Sequence, residues 1–400
     1  MSDAPSIPAT TRRARFAAWL RRDHRYVLLG TSAVAFAGMW LSSQPRPAMS
    51  FLAHAFTVEV VMYYVLAAWL ALSAVALVFK LTHWTTYGQV APFVKPGARR
   101  VLRLGSYVIW VLAIVLFVDR AVMGFASAWT AAAASSGMPQ DDVLTQILYM
   151  FQQGYATYLQ GILTTIELAV FGTAIAFVLA MLLVFVRIQH IDRPDNDFVR
   201  FWKKVGVGFA KVYSTVVRGT PMLVQGVIIY YAGFGLFSGS GMSVSEINAV
   251  WSRFIAGLVV ISLNSTAYMM EVLRGGIESV DKGQMEAARS LGLSQWQAMV
   301  KVVFPQGIRY AIPGLSNELV INIKDSSVLS VIGVFDLAFA ASTIAGIYYK
   351  QLNAYLVIAV FYLIMTATAS WLLGKLAKRL DAKTEPVLGV SNQMKAGGEK

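Results

Sequence analysis

Eight stretches of 17 to 25 mostly apolar residues punctuate the chain, at roughly 25–41, 58–79, 102–118, 162–186, 213–237, 254–273, 313–334 and 353–373. A bilayer core about 30 Å thick is crossed by about 20 helical residues, within a range of about 17–25. In lipid, only helices and closed barrels satisfy every backbone polar group. The expected fold is therefore an all-α membrane protein with about eight transmembrane helices. Hydrophobic residues make up 57% of the chain and charged residues 14%, against about 45–50% and about 25% in a soluble domain. That balance excludes a disordered chain and argues against a water-soluble enzyme. The first stretch follows an Arg-rich segment (Arg12, Arg13, Arg15, Arg21, Arg22, Arg25) and has the outline of a signal peptide. Ser42-Ser43-Gln44-Pro45 offers no small-x-small cleavage site, so an uncleaved span is expected.

The 34 Lys and Arg against 21 Asp and Glu give a net charge of +13, which by itself would suit a nucleic-acid partner. Their placement does not. With a cytoplasmic N-terminus, 29 of them fall in segments facing inward. Only Arg46, Arg120, Arg253 and Lys350 face outward, and Lys324 lies within a span. This is the positive-inside pattern, so the charge reports topology: both termini are cytoplasmic and the partner is a lipid bilayer, not nucleic acid. The chain has no Cys, hence no disulfide, thiolate metal site or Cys nucleophile. Its four His (His24, His54, His83, His190) are too scattered for a metal site or a catalytic triad.

The chain divides into a basic cytoplasmic N-terminus (1–25), a three-span module with an external linker (26–150), a five-span module (155–382) and a polar cytoplasmic tail (384–400). The linker is read from the Ala/Ser run Ala131 to Ser136, then Gly137-Met138-Pro139 and Asp141-Asp142, a combination that breaks helices and stays wet. Val143 to Leu159 has a helical pattern ending in Tyr155 and Tyr158, as an interfacial helix would.

The most informative stretch, 283–305, lies between the sixth and seventh spans on the cytoplasmic side. Glu286 to Leu291 are helix formers, and Gly292 supplies the left-handed conformation that ends a helix. Ser294 with Gln297 makes a capping box for a second short helix, which Pro305 stops. Ala287 and Ala288 leave a smooth surface that another protein's groove would accept. On these grounds alone the segment is either a surface hairpin or a docking element.

The order Glu286-Ala287-Ala288, Gly292 six residues after the Glu, and a closing Pro305 resembles the coupling loop of bacterial ABC-importer permeases. The family's Ile-x-Leu-Pro ending is replaced by Val302-Val303-Phe304-Pro305. More specifically, the chain is similar to the polar amino-acid permeases of the histidine/glutamine/arginine type. Further matches are Arg218-Gly219-Thr220-Pro221-Met222-Leu223-Val224-Gln225, Ser262-Leu263-Asn264-Ser265-Thr266-Ala267-Tyr268 with Glu271-Val272-Leu273-Arg274-Gly275-Gly276-Ile277, Asn322-Ile323-Lys324-Asp325-Ser326-Ser327-Val328-Leu329-Ser330, and Asn353-Ala354-Tyr355-Leu356-Val357. The resemblance covers 155–382 and leaves the N-terminal spans outside it.

The resemblance implies a type I ABC-importer permease core in a bacterial inner membrane. It implies a homo- or heterodimer with a second permease subunit, a cytoplasmic ABC ATPase dimer and an extracytoplasmic amino-acid-binding protein. Gly283, Gln284, Glu286, Ala287, Ala288, Arg289, Gly292 and Pro305 would couple it to the ATPase. The sequence has no Gly-x-x-x-x-Gly-Lys-Ser/Thr phosphate loop; its nearest fragment, Gly374-Lys375-Leu376, lacks the first Gly and the hydroxyl. The chain is thus expected not to be an enzyme and to hold no cofactor, with ATP and Mg on the partner.

Two polar stripes within spans are the pathway candidates. Asn264, Tyr268 and Glu271 share one helix face, as do Glu318, Asn322 and Asp325, with Lys324 beside them. Ser326-Ser327 follows, where a local break would free backbone groups to face a cavity. Between them the stripes offer acceptors for an ammonium and donors for a carboxylate. The alternative for Asn264 and Tyr268 is interhelical hydrogen bonding, worth about 0.6 kcal/mol each, and for Lys324 and Asp325 a structural ion pair. Gly172, Ala176 and Ala180 form a small-residue face suited to close helix packing. The function expected is an ATP-driven, binding-protein-dependent permease for polar amino acids working by alternating access. The alternative is an ATPase-independent secondary transporter or channel.

Overall fold

The computed structural model describes residues 30–83, 95–140, 142–191 and 195–382, and every regular element among them is helical. The chain forms two compact units, one ending at Tyr149 and the other beginning at Met150. By length and composition six described helices can cross a membrane, or seven when one bent pair is counted as a span. The remaining expected span, 25–41, is described only from Gly30. The basic N-terminus and the tail 384–400 lie outside the described residues.

In the first unit, α1 (Gly30–Ser43), α2 (Phe56–Thr82) and α3 (Pro96–Phe117) pack around Ala35, Leu52, Met62, Leu66, Trp69, Leu102, Ile109 and Leu116. α3 does not stop near residue 118 as expected. It continues through a π-helical turn (Val118–Val122) into α4 (Met123–Ala134). The Ala-rich run that was read as linker is helical because Ala is the best helix former and nothing interrupts it before Pro139. The linker shrinks to 135–142. Its last residue caps the next helix: the Asp142 carboxylate accepts from the amides of Leu144 (3.3 Å) and Thr145 (2.9 Å) and from the Thr145 hydroxyl (2.6 Å). The Thr145 hydroxyl chiefly holds this carboxyl below its ordinary range.

α5 (Val143–Arg187) is one uninterrupted helix of 45 residues, about 68 Å long at 1.5 Å per residue. The separate interfacial helix expected over Val143 to Leu159 is its first third. Tyr158 is buried between the rings of Phe151 and Phe361, whereas Tyr155 is exposed. The expected small-residue face packs closely: a Cβ on Gly172 would lie 2.5 Å from Ile261, and Ala176 and Ala180 are fully buried.

The expected span 213–237 is two helices, α6 (Asp197–Gly219) and α7 (Met222–Gly239), separated by extended backbone at Thr220 and Pro221. The residue before a Pro is driven out of the helical region, and Pro itself has no amide to donate. After the short α8 (Val244–Val250) comes α9 (Arg253–Glu278), the most buried span. α10 (Lys282–Ser290) and α11 (Gln295–Ala298) form the loop between spans. A π turn (Met299–Val303) then joins α11 directly to α12 (Phe304–Asp325). Pro305 therefore does not stop the helix. It sits at the second position of α12, just past the wider turn in which the Phe304 amide reaches Met299. α12 tightens into a 3₁₀ segment (Ser326–Ile332) that ends at left-handed Gly333 (φ +82°). α13 (Leu337–Tyr348) follows at a bend of 52°, and α14 (Gln351–Ala382) closes the fold.

Candidate translocation pathway and coupling loop

Within the coupling-loop segment, the Asp281 carboxylate caps α10 by accepting from the Gly283 amide at 2.7 Å. At the other end Gly292 adopts φ +87°. Its amide reaches Arg289 and the Leu293 amide reaches Ala288, the paired bonds of a Schellman ending. Ser294 and Gln297 form the expected capping box. Gln284, Glu286, Ala287, Arg289 and Leu291 face outward, Leu291 with 84% of its surface exposed. Ala288, expected on that outer surface, is instead turned inward and buried, one turn after Met285 on the same face of α10.

That inward face is continuous with the membrane helices. Met285, Met299, Val303 and Phe304 lie against the spans, where Ala180 and Val184 of α5, Ala210 of α6 and Met269, Leu273 and Ile277 of α9 share one apolar core. The Phe185 ring of α5 meets that of Phe304 at 4.4 Å and that of Trp296 at 5.6 Å, both tilted. Protein interiors are stiff and transmit strain, and Met285 is the contact of α10 with this one. Beside this core a cavity of about 470 Å³ opens between the ends of α5, α6 and α9 and the loop, lined by Arg187, His190, Arg274, Glu278, Asp281 and Met285 among others. Nothing in the sequence spacing brings these residues together; the parallel course of α5 and α9, with Gly172 beside Ile261 and Arg187 beside Glu271, does.

The first polar stripe faces the break between α6 and α7. Asn264 donates to the side-chain carbonyl of Gln225 at 3.1 Å. The Gln225 amide group in turn donates to Val217 O (2.7 Å), Thr220 O (2.9 Å) and Thr220 Oγ1 (2.8 Å). It thereby satisfies carbonyls that the break sets free. Tyr268 is 38% exposed and lies beneath the Arg218 guanidinium, 5.4 Å from its ring centre. Glu271 gathers Arg274 of its own helix (2.7 Å), Ser214 of α6 (3.2 Å) and Arg187 of α5 (3.7 Å). Gln225 was legible only as part of a motif; its role at the break needed the path of α6.

The second stripe attaches elsewhere. Asn322 is 2% exposed, accepts from Ser265 of α9 and donates to Thr173 of α5, each at 2.8 Å. Glu318 is buried and, among the described residues, no side chain donates a hydrogen bond to it. Asp325 is half-buried, Lys324 is exposed, and no ion pair joins them among the described residues. Their side chains leave adjacent helix positions about 100° apart and diverge, so the expected structural pair does not form. Ser326 is fully buried, its hydroxyl donating to Ile323 O at 2.9 Å where the 3₁₀ segment begins. That segment packs on α7 through Leu329 and Gly226. The stripe of α12 thus meets α9 through Asn322 and Ser265, the residue next to Asn264 of the first stripe. The α6–α7 break and the 3₁₀ segment after α12 are the two places nearby where regular helix bonding is interrupted.

Residues 198–382 match the family model described as binding-protein-dependent transport system inner membrane component. The glutamine transport system permease protein GlnP of Escherichia coli (strain K12) is 33% identical over 222 residues, covering 56% of this chain and 92% of that protein. The putative glutamine transport system permease protein GlnP of Rickettsia typhi is 32% identical over the same shares. Among solved structures, one described as a crystal structure of an amino acid ABC transporter with histidines is similar at 32% identity and a TM-score of 0.49, over 60% of this chain and all of that one.

Proposed function

Since the chain belongs to the family of binding-protein-dependent transport system inner membrane components, we propose that it carries polar amino acids inward by alternating access, driven by a separate ATPase. It is the permease component of a binding-protein-dependent amino-acid ABC importer. An importer of this class works with an ATPase and a binding protein. In our reading the ATPase is a cytoplasmic dimer holding ATP and Mg, and it docks on the outward face of α10 at Gln284, Glu286, Ala287 and Arg289. A second permease subunit completes the pathway, and both termini of this chain face the cytoplasm.

The observation that carries this reading is the shared core. α10 presents charged and small residues outward while Met285 on its inward face packs against the apolar core shared by α5, α6 and α9. ATP-driven closure of the partner would move α10, and the spans would follow. Differential contact in two states is what coupling requires. Asn264, Tyr268, Glu271, Glu318, Asn322, Lys324, Asp325 and Ser326 are the proposed pathway and substrate residues, with the two helix interruptions at their centre.

Purification in mild detergent tests the proposal. An ATPase subunit should co-purify and should be lost on replacing Glu286 and Ala287. A chain that purifies alone and moves amino acids into liposomes without ATP would support the secondary-transporter alternative and overturn this one.

A further inference from the structure

Four ionisable side chains of the first unit converge where α1 and α3 end and α2 begins. Asp119 and Arg120 enter through the π turn after α3, Glu59 from the first turn of α2 and Arg46 from the connection before it. Glu59 holds both guanidiniums: Arg46 donates to its Oε2 through Nε (2.9 Å) and Nη2 (2.8 Å), and Arg120 donates to Oε1. Asp119 is separately saturated by Arg120, the Ser50 hydroxyl and the Leu52 amide. Glu59, Asp119 and Arg120 are all buried.

These charges are not what holds the helices together. The apolar cluster below them does that, and a buried ion pair is on average no more stabilising than the apolar residues that could replace it. The π turn that delivers Asp119 and Arg120 interrupts a helix of otherwise regular bonding, a feature frequent at functional sites. Nor is the cluster sealed. A cavity of about 290 Å³ opens over it, near the lower end of the size range of small-molecule pockets. Its walls add the rings of Phe56, Tyr63 and Tyr64, with Tyr64 67% exposed at the mouth. The Arg46 side chain is one-third exposed and rests 5.3 Å above the Phe56 ring, so it is the one charge free to turn outward.

The geometry points to this pocket as a binding site for a small zwitterion, a primary ammonium and an anionic group close together on one molecule. The two arginines and two carboxylates cancel, so a ligand of either single sign would leave an unbalanced charge in a partly buried site. A zwitterion would not. Its anion takes Arg46, its ammonium takes the Glu59 oxygen that Arg46 releases, and Arg120 keeps its hold on Glu59 and Asp119. One internal ion pair is exchanged for two, and the aromatic rings supply faces that attract a cation. Two sources carry this chemistry: a free α-amino acid, and the phosphoethanolamine headgroup of a phospholipid.

Hydrogen exchange on the full chain, purified with whatever subunits accompany it, separates them. One arm adds L-glutamine in lipid-free detergent. The other compares nanodiscs of phosphatidylethanolamine with nanodiscs of phosphatidylglycerol. The expected result is at least threefold slower exchange in peptides covering residues 42–64 and 116–123, in the glutamine arm for an amino-acid site or only with phosphatidylethanolamine for a headgroup site. Arg46→Gln should abolish the effect, and Tyr64→Ala, at the rim, should weaken it in a pocket whose ion pairs are intact. Glu318→Gln, in the other unit, should leave it unchanged whether or not transport survives. No slowing in either arm, equal slowing with glutarate, phosphatidylglycerol or cadaverine, or full slowing in Arg46→Gln would overturn the assignment.

Discussion

Gln225 and Asn264 meet side chain to side chain at 3.1 Å, and the same Gln225 amide group closes the carbonyls of Val217 and Thr220. One glutamine thus does for two carbonyls at the α6–α7 break what two backbone amides do inside a regular helix. Replacing it with leucine of similar size leaves those acceptors without donors. Val217 O is partly buried, and an acceptor left alone costs at most about 1–3 kcal/mol, so Gln225→Leu should lower the thermal stability of the detergent-solubilised chain, and Asn264→Ala should lower it less. Equal stability in Gln225→Leu would show that water serves the break instead.

Asn322 and Glu318 share a stripe but not a role. Asn322 ties α5, α9 and α12 through two side-chain bonds, each worth about 0.6 kcal/mol in a membrane interior. Asn322→Ala should therefore destabilise by about 1 kcal/mol, and a double-mutant cycle with Ser265→Ala should show coupling. Glu318→Gln breaks no hydrogen bond and should leave the melting temperature unchanged while reducing uptake more than tenfold. Normal uptake in Glu318→Gln would remove this residue from the pathway.

Two neighbouring glycines provide a packing test. A Cβ on Gly276 would lie 2.4 Å from the carbonyl oxygen of Gly307, a backbone atom that cannot swing aside, whereas a Cβ on Gly275 meets nothing within 4 Å. Gly276→Ala should cost about 1–3 kcal/mol through overpacking. Gly275→Ala should be neutral or slightly stabilising, by up to about 1 kcal/mol. Thermal denaturation of the pair, side by side, decides the matter.

The α10 ending predicts a graded series. Gly292 sits at φ +87°, a region that costs an L-residue about 1–2 kcal/mol and that proline cannot enter. Gly292→Ala should retain part of the uptake; Gly292→Pro and Glu286→Lys should abolish it, with membrane insertion intact in all three. Wild-type uptake in Glu286→Lys or Gly292→Pro would remove α10 from the coupling scheme.

Asp142 supplies a pH signature. Its carboxyl is held low by the Thr145 hydroxyl and the cap amides, so the cap is complete above the ordinary carboxylate range and is lost as pH falls through the lowered value. Protection of the first α5 amides should be constant at neutral pH and fade only in acid. Asp142→Ala should lose it at every pH, at a cost of about 1 kcal/mol. A pH-independent cap would contradict the assignment.

The local punctuation of the coupling loop was legible residue by residue. Gly292 takes the left-handed conformation and Ser294 with Gln297 forms its capping box because both depend on neighbours within five residues. Pro305 was misread for the same reason in reverse: proline ends an isolated helix, but a π turn before it lets α11 run into α12. The Ala131 to Ala134 run was misread as linker because composition weighs water-loving neighbours that lie outside the helix itself. Lys324 and Asp325 suggested an ion pair because they are adjacent, yet adjacent helical positions point apart.

The sequence alone located most of the spans, eight expected against six or seven among the described residues, because transferring apolar helices into lipid depends mainly on length and composition. It also determined the family, through a loop whose local chemistry tolerates few alternatives. Tertiary structure alone decided which polar residues meet. Gln225 reaches Asn264 across 39 positions, Asn322 reaches Thr173 across 149, and Arg120 reaches Glu59 across 61. Contacts of that separation are fixed by how helices cross and turn, and no periodicity within a single segment encodes them.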